Sequence, residues 1–129
     1  MEKNGLKETA YKLGKGLITF CPLAQGLLTN RYLNGIPADS RMAHDPRFLN
    51  DSALTEKLHK QVVDLNNLAA ERGQTLAEMS LAWLLHDGKV ISVLTGASKP
   101  QQILDNIDAL KNTRFTVEEL KLIDEISAR

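Results

Sequence analysis

Two short apolar runs, Leu17–Cys21 and Val90–Leu94, constrain the fold more than any other feature of the sequence. Each is rich in residues that favour β-strands and is bounded by glycine, proline or a turn. Helical patterns lie between and after them, and continuous apolar strands that alternate with helices are typical of a parallel sheet covered on its faces. The sequence therefore predicts an α/β fold. Because two strands leave much of a sheet's backbone unpaired, the pattern indicates part of a larger structure.

The helices are predicted from apolar spacing and from capping signals. A turn-rich polar segment at 33–52 separates the first strand from the next helix, and a loop of this length is usually functional or mobile. The expected helices are Leu6–Leu13, Leu54–Arg72 and three more that open at capping boxes, which pair Thr75 with Glu78, Ser98 with Gln101 and Thr116 with Glu119.

Composition excludes several kinds of partner. Lys plus Arg equals Asp plus Glu at 16 each, so the net charge is zero and nothing favours general binding to nucleic acid or acidic membranes. No apolar run approaches the roughly 20 residues of a membrane-spanning helix, and the first residues lack the apolar segment of a signal peptide. Cys21 is the one cysteine, so an internal disulfide is impossible, which suits a reducing compartment. We expect a cytoplasmic protein.

The turn after the second predicted strand carries the strongest candidate site, because α/β folds bind ligands at the carboxyl ends of their strands. Gly96 allows close approach of the backbone, Ser98 can donate to a phosphate, and Lys99 adds positive charge at a helix N-terminus. Gln102 and Asn106 lie four apart on one helix face and can hydrogen-bond a purine or a ribose. The competing interpretation, and the commoner use of such residues, is that Ser98 caps the helix and Gly96 turns the chain.

The exit from the first predicted strand is a second candidate site. Backbone N–H groups around Gly26 are further donors for an anion, while Leu23 and Leu28 can line a ligand. Arg31 and Arg41 are candidate phosphate partners. A tight loop with a buried leucine, and two solvated surface arginines, explain the same residues without a ligand.

Other reactive residues are weaker candidates. His44, His59 and His86 lack the spacing of metal ligands, so we expect exposed or hydrogen-bonded histidines and no metal site. Cys21 follows a strand and is expected to be an inert small hydrophobe, and Trp83 is expected in the core. The sequence contains no dinucleotide-binding glycine fingerprint, Walker A motif, nucleophile elbow or zinc-protease motif.

Four segments share their order and spacing with one protein family. They are FCPLAQGLLTNRY at 20–32, NGIP at 34–37 with Ser40-Arg41, LAWL at 81–84 and GASKPQQILDN at 96–106. Together they resemble the aldo-keto reductase family, in particular the branch of potassium-channel β-subunits and bacterial aldehyde reductases. The resemblance covers nearly the whole chain but only the C-terminal portion of the family's (β/α)₈ barrel. It implies a partial TIM barrel in which residues 1–129 form one partial domain, the last two parallel strands with their helices plus two extra helices.

The resemblance also implies a cofactor, NADP(H), and a reaction, hydride transfer to an aldehyde or ketone. The loop after the first strand would wrap the pyrophosphate, and the second turn would hold the adenosine and its 2′-phosphate. Cys21 stands where the family usually has serine, which weakens one hydrogen-bond donor to the cofactor. Asp105 stands where the family has glutamate, which shortens one side chain that accepts a hydrogen bond. The matching cofactor-binding residues are Cys21, Pro22, Leu23, Ala24, Gln25, Gly26, Leu28, Arg31, Arg41, Gly96, Ser98, Lys99, Gln102, Asp105 and Asn106.

The family's catalytic Asp, Tyr, Lys and His belong to earlier strands, and no residue of this chain matches them. We therefore expect that the chain alone is not catalytic and binds NADP(H) weakly or not at all, since half a site loses preorganisation. A partial barrel exposes strand edges and an apolar face, which predicts self-association or a separate N-terminal half as the partner. The alternative is a non-enzymatic regulatory or oligomerising module derived from the barrel.

Overall fold

The computed structural model of the chain describes residues 4–35 and 55–128. None of the helices in these two ranges is long and apolar enough to span a membrane. The predicted order of helices and strands is confirmed there. The elements are α1 (Leu6–Lys12), β1 (Leu17–Phe20), α2 (Glu56–Glu71), α3 (Leu76–Leu85), β2 (Val90–Leu94), α4 (Pro100–Asp108) and α5 (Val117–Ala128), with 3-10 turns at Ala24–Gly26, Asn30–Tyr32 and Ala109–Lys111.

The two strands pair in parallel, as the sequence predicts. Phe20 lies opposite Leu94 at the carboxyl end, and Leu17 lies opposite Val90 at the other end, with an irregularity after Leu17. Because α2 and α3 connect the strands, the pairing is the crossover arrangement that parallel strands require. The carboxyl ends of both strands therefore meet at one edge of the sheet.

The two strands are only partly buried: Val90 is covered as a buried strand predicts, whereas other apolar strand residues are exposed, as expected of a partial barrel. Phe20 is 78% exposed and Leu94 is 58% exposed, and Ile18 and Ile91 are exposed as well. The physical reason is that helices cover the sheet incompletely, while the described residues contain only these two strands. An apolar strand is buried only where neighbouring strands and a second layer cover it.

Threonine caps fix where the helices begin. Thr75 Oγ1 accepts from the Glu78 N–H at 3.2 Å, and a Glu78 carboxylate oxygen accepts from the Thr75 N–H at 2.8 Å, so the predicted capping box is confirmed. Thr116 and Glu119 form the same pair at the start of α5. The predicted start of the second helix at Leu54 lies outside the described residues, and α2 begins after Thr55.

The main core lies between helices rather than on the sheet. α2, α3 and α5 bring their apolar faces together, and Trp83 and Phe115 pack partly buried against them. Trp83 thus contacts the core as expected, although it stays half-buried. The buried members of this cluster are Val62, Leu68, Ala69, Leu76, Met79 and Ile123.

Three ion pairs connect the outer helices to the rest of the described residues. The Arg72 guanidinium, 4% exposed, lies 2.6 Å from a Glu119 carboxylate oxygen and joins α2 to α5. The buried ammonium of Lys7 lies 2.7 Å from an Asp87 carboxylate oxygen and joins α1 to the turn before β2. Lys89 pairs with Glu8 beside it. Ion pairs of Lys7 and Glu8 therefore tie α1 to the segment that leads into β2.

Candidate functional site

The strand register brings the two candidate segments to the same edge of the sheet. Phe20 and Leu94 are paired and are the last residues of their strands. The loop that starts at Cys21 and the turn that contains Gly96 consequently leave the sheet side by side. This is the edge at which parallel α/β folds bind their ligands.

Three hydrogen-bond donors of the second turn converge on one oxygen atom. The Gln102 side-chain carbonyl accepts from the Ser98 N–H at 2.7 Å, from the Ser98 hydroxyl at 3.2 Å and from the Lys99 N–H at 3.2 Å. All three residues are exposed. The donors are thus already oriented toward a single acceptor at the N-terminus of α4, where the helix dipole favours negative charge.

The predicted cap at Ser98 is wrong. α4 begins at Pro100, Lys99 occupies the N-cap position, and the side chain that reaches back to the turn is Gln102, not Gln101. Since Ser98 donates its hydroxyl hydrogen instead of accepting from the helix, capping does not account for this serine. The sequence did not lead us to predict this role of Gln102. The signal for it is a glutamine three residues after the N-cap, together with proline at the first helical position.

Turn geometry does not account for Gly96 either. Its φ is not positive, in contrast to six other glycines of the described residues. A Cβ placed on Gly96 meets no atom within 4 Å. Among the described residues neither backbone strain nor packing requires glycine at this position, and the space beside its backbone is open.

The remaining candidates on α4 lie on accessible positions. Asp105 is exposed, and its carboxylate accepts from the Gln101 side-chain amide at 2.8 Å. Asn106 is half-buried one residue further along. Gln102 and Asn106 both belong to α4, as their spacing predicts, but Gln102 turns back toward the helix start.

The Cys21–Leu28 loop has a strained backbone. Cys21, Ala24 and Gln25 adopt the left-handed region with φ of 51°, 47° and 60°. Each such residue costs on the order of 1–3 kcal/mol, and strain of this kind clusters at functional sites. Cys21 is exposed, so its side chain does not pack as the small hydrophobe that the sequence predicts. Leu23 and Leu28 are half-buried.

The loop uses several of its own backbone donors. The Gly26 and Leu28 N–H groups both donate to the Leu23 carbonyl, at 2.9 and 3.2 Å, and the Ala24 N–H donates to the Cys21 carbonyl at 3.1 Å. The backbone N–H donors expected around Gly26 therefore bond within the loop itself. The donors of the Ser98 turn instead bond the exposed side chain of Gln102. The second turn is the better anion site of the two.

Only some of the arginine and histidine candidates lie within the described residues. Arg31 is exposed in the turn Asn30–Tyr32, where its N–H donates to Thr29 Oγ1 at 3.2 Å. Arg41 lies outside the described residues, as does His44. His59 bonds the Leu33 carbonyl at 2.9 Å and His86 bonds the Trp83 carbonyl. The described residues contain no group of His, Cys, Asp and Glu that could hold a metal ion.

Comparisons with known proteins agree with this arrangement. Residues 1–128 match the model of the aldo/keto reductase family. The chain belongs to that family. It is 48% identical over 128 residues to the L-glyceraldehyde 3-phosphate reductase of Escherichia coli K12, covering 97% of this chain and 37% of that protein. It is 39% identical over 117 residues to a probable voltage-gated potassium channel subunit beta of Oryza sativa subsp. japonica, covering 89% of this chain and 35% of that protein.

Solved structures give the same assignment. The glycerol dehydrogenase AKR11B4 of Gluconobacter oxydans superposes on 99% of this chain with a TM-score of 0.77 at 29% identity, although the match covers 38% of that protein. A thermostable aldo-keto reductase, Tm1743, superposes on 97% of the chain with a TM-score of 0.63 at 26% identity and is covered over 34% of its length. The chain therefore has a TIM-barrel-type α/β fold and spans little more than a third of the length of these relatives. The family generally uses NADP(H).

Proposed function

We propose that this chain is the C-terminal part of an NADP(H)-dependent aldo/keto reductase and holds the phosphate and adenosine end of the cofactor. In this proposal β1 and β2 are the last two strands of the barrel, α3 and α4 are their helices, and α2 and α5 are the two extra helices. Residues 1–129 then form a single partial domain. The complete protein reduces aldehydes or ketones by hydride transfer in the cytoplasm.

The observation that carries the proposal is the convergence of donors on the Gln102 carbonyl oxygen. A phosphate oxygen is an acceptor of the same kind and carries more negative charge, so the Ser98 N–H and hydroxyl and the Lys99 N–H suit it better than a neutral amide. The Lys99 ammonium adds a positive charge to the same turn. These groups fit the 2′-phosphate that distinguishes NADP(H) from NAD(H).

The Cys21–Leu28 loop supplies the second contact in this proposal. Its strained residues and half-buried leucines shape a fixed wall beside the Ser98 turn, and Arg31 follows it with a positive charge. With Cys21 in place of serine, one donor to the cofactor is weaker. Asp105 is shorter than glutamate and is already held by Gln101, so adenine contacts depend more on Asn106.

The chain's own residues bind and orient the cofactor but do not carry the carbonyl chemistry. When bound, NADPH supplies the hydride, while the acid that protonates the carbonyl oxygen comes from earlier strands. Tyr32 is buried and Tyr11 is exposed on α1, so neither is placed to serve as that acid at the carboxyl edge of the sheet. The chain alone is therefore inactive and binds NADP(H) weakly or not at all.

A chimeric enzyme tests the proposal. This chain replaces the segment that it matches in the E. coli reductase, and turnover with NADPH and with NADH is measured by nicotinamide absorbance. The Lys99→Ala change is expected to raise the KM for NADPH about tenfold or more, because a charge-assisted contact is lost, and to leave the KM for NADH nearly unchanged. Lys121→Ala, an exposed lysine on α5, is the matched control. Equal effects on both cofactors, or turnover by this chain alone, would contradict the proposal.

A second candidate is a non-enzymatic regulatory or oligomerising module. The observation that favours it is the 39% identity to a probable potassium channel β subunit. It predicts that the chimera folds and binds a partner but does not consume NADPH with any small aldehyde. The same absorbance assay therefore separates the two candidates.

A further inference from the structure

In α3, α4 and α5, the side chain three residues after the N-cap reaches back to the start of its helix. Glu78 accepts from the Thr75 N–H at 2.8 Å in α3. Glu119 accepts from the Thr116 N–H at 2.7 Å in α5. The side chain at the same position of α4 is Gln102. The acceptor is therefore a carboxylate at two of these helix starts and a neutral amide at the third.

Helix stability does not explain the neutral side chain of Gln102. The helix dipole favours negative charge at an N-terminus, and a hydrogen bond to a carboxylate is stronger than one to a neutral amide. The first turn of α4 contains no acidic residue that would already supply this charge. Three donors also meet on the one oxygen of Gln102, so glutamate would stabilise the start of α4 more than glutamine does.

We propose that Gln102 is a neutral stand-in for a phosphate oxygen and that its lack of charge sets the preference between NADP(H) and NAD(H). This inference rests on the proposed function, since it takes the Ser98 turn as the site of the 2′-phosphate. In the free protein the Gln102 carbonyl oxygen keeps three donors pointing at one place. On binding of NADP(H), Gln102 releases these donors to a phosphate oxygen and its side chain turns out into solvent.

The surroundings of Gln102 permit this exchange. Ser98, Lys99 and Gln102 are all exposed, so the glutamine side chain rotates without disturbing packed atoms. Its bonds from the Ser98 hydroxyl and from the Lys99 N–H are both 3.2 Å long, at the upper end of the range for hydrogen bonds. An acceptor with negative charge forms shorter and stronger bonds with the same donors. The exchange therefore favours the phosphate.

The charge of the side chain at position 102 decides which cofactor the turn accepts. A carboxylate at this position would accept the same three bonds more strongly than the amide does. It would also repel a phosphate brought close to it. NAD(H) has a hydroxyl group in place of the 2′-phosphate, so it leaves the acceptor of the Ser98 turn where it is. Glutamine thus keeps the turn open to NADP(H), whereas glutamate would close it to NADP(H) alone.

Cofactor binding to the chimera described above tests the role of Gln102. Isothermal calorimetry gives the dissociation constants of NADPH and NADH without any turnover. Gln102→Glu should weaken NADPH binding about twentyfold or more, because the carboxylate holds the donors and repels the phosphate, and should change NADH binding less than about threefold. Gln102→Ala removes the stand-in without adding charge. NADPH should then bind as tightly as to the parent or up to about threefold more tightly, since no side chain competes for the donors.

Gln101→Glu is the matched control for charge. It adds the same negative charge one residue earlier, on a side chain that contacts Asp105 and not the Ser98 turn. The ratio of the two dissociation constants should stay within about threefold of the parent ratio, because charge at an exposed position is screened. Circular dichroism of all three variants should match the parent, since glutamate already occupies the same helix position at Glu78 and Glu119.

Three results would overturn the role of Gln102 and leave the proposed function standing. The first is unchanged NADPH binding in Gln102→Glu. The second is a loss of about tenfold or more in Gln102→Ala, which would make Gln102 a direct contact of the cofactor. The third is an equal change of the ratio in Gln101→Glu, which would show that any charge near the helix start suffices. A folded parent chimera that binds NADH but not NADPH refutes the proposed function, and this inference with it.

Discussion

Replacement of Arg72 by alanine should destabilise the helical core severely. The guanidinium pairs with Glu119 at 2.6 Å, donates to the Arg114 carbonyl at 2.8 Å and to the Gln74 side-chain oxygen at 3.0 Å, and lies 3.8 Å from the centre of the Phe115 ring. Only 4% of the Arg72 side chain is exposed, so the guanidinium itself is shielded from solvent, although its bond to the Arg114 carbonyl lies at the surface. One residue thereby holds the end of α2 against the start of α5.

The magnitude follows from what alanine leaves behind. Breaking a buried ion pair costs about 3–5 kcal/mol, since the other charge remains without its partner. Glu119 keeps 22% exposure and can be partly rehydrated, which favours the lower part of that range. Loss of the Phe115 contact adds about 0.5–1 kcal/mol. We therefore expect the free energy of unfolding to fall by roughly 3–4 kcal/mol.

Urea unfolding followed by circular dichroism measures this loss. With a slope of about 1.5 kcal/mol per molar urea, the midpoint should fall by roughly 2 M. Arg72→Lys keeps the charge but loses the planar fork, so a smaller loss of about 1–2 kcal/mol is expected. Arg114→Ala is the control, because only the carbonyl of that exposed residue takes part. A loss below about 1 kcal/mol for Arg72→Ala, equal to that of the control, would refute the reasoning.

Two further predictions concern pH and capping. Partial burial would raise the pKa of Asp87, but the hydrogen bond from Lys7, the Lys89 backbone N–H and nearby positive charge outweigh this effect, so the pKa lies below its ordinary value. A depressed carboxyl pKa stabilises the fold above the unfolded value of about 3.9 and loses that effect as pH falls through the folded value. As pH falls below about 4, the urea midpoint should therefore fall less in Asp87→Asn than in the parent chain. Asp124→Asn is the control and should behave like the parent. Equal slopes would contradict this. For Thr75→Ala we expect a loss of about 1 kcal/mol in the same urea assay, largely restored by serine, which can also cap. A neutral alanine variant would show that the capping box is not needed.

Local signals predicted much of the fold because they act within one turn of chain. The boxes at Thr75 and Thr116 formed as expected, and the strand at Val90–Leu94 was located to the residue. Gly73 ends α2 with a φ of 69°, as glycine after a helix does. The caps depend on side chains only three residues from the backbone groups that they satisfy, while the strand and the glycine depend on the conformational preferences of their own residues.

The candidate site was predicted less completely. The segments and their meeting at one edge followed from parallel pairing, but the role of Ser98 did not. Ser98 and Gln102 compete for the same backbone N–H groups, and which side chain wins depends on where the helix starts. Proline at position 100 moves that start beyond Ser98, so the hydroxyl becomes a donor to Gln102.

The sequence by itself determined the order of helices and strands, the caps at Thr75 and Thr116, and the family to which the chain belongs, because these depend on periodicity and on short-range spacing. Only the tertiary structure decided which apolar side chains are buried. Phe20 and Ile107 have the same apolar character as the buried Val62 and Leu76, yet they are exposed and those are not. Burial depends on what lies opposite a side chain, and in this chain three helices cover one another while the two strands keep an open side.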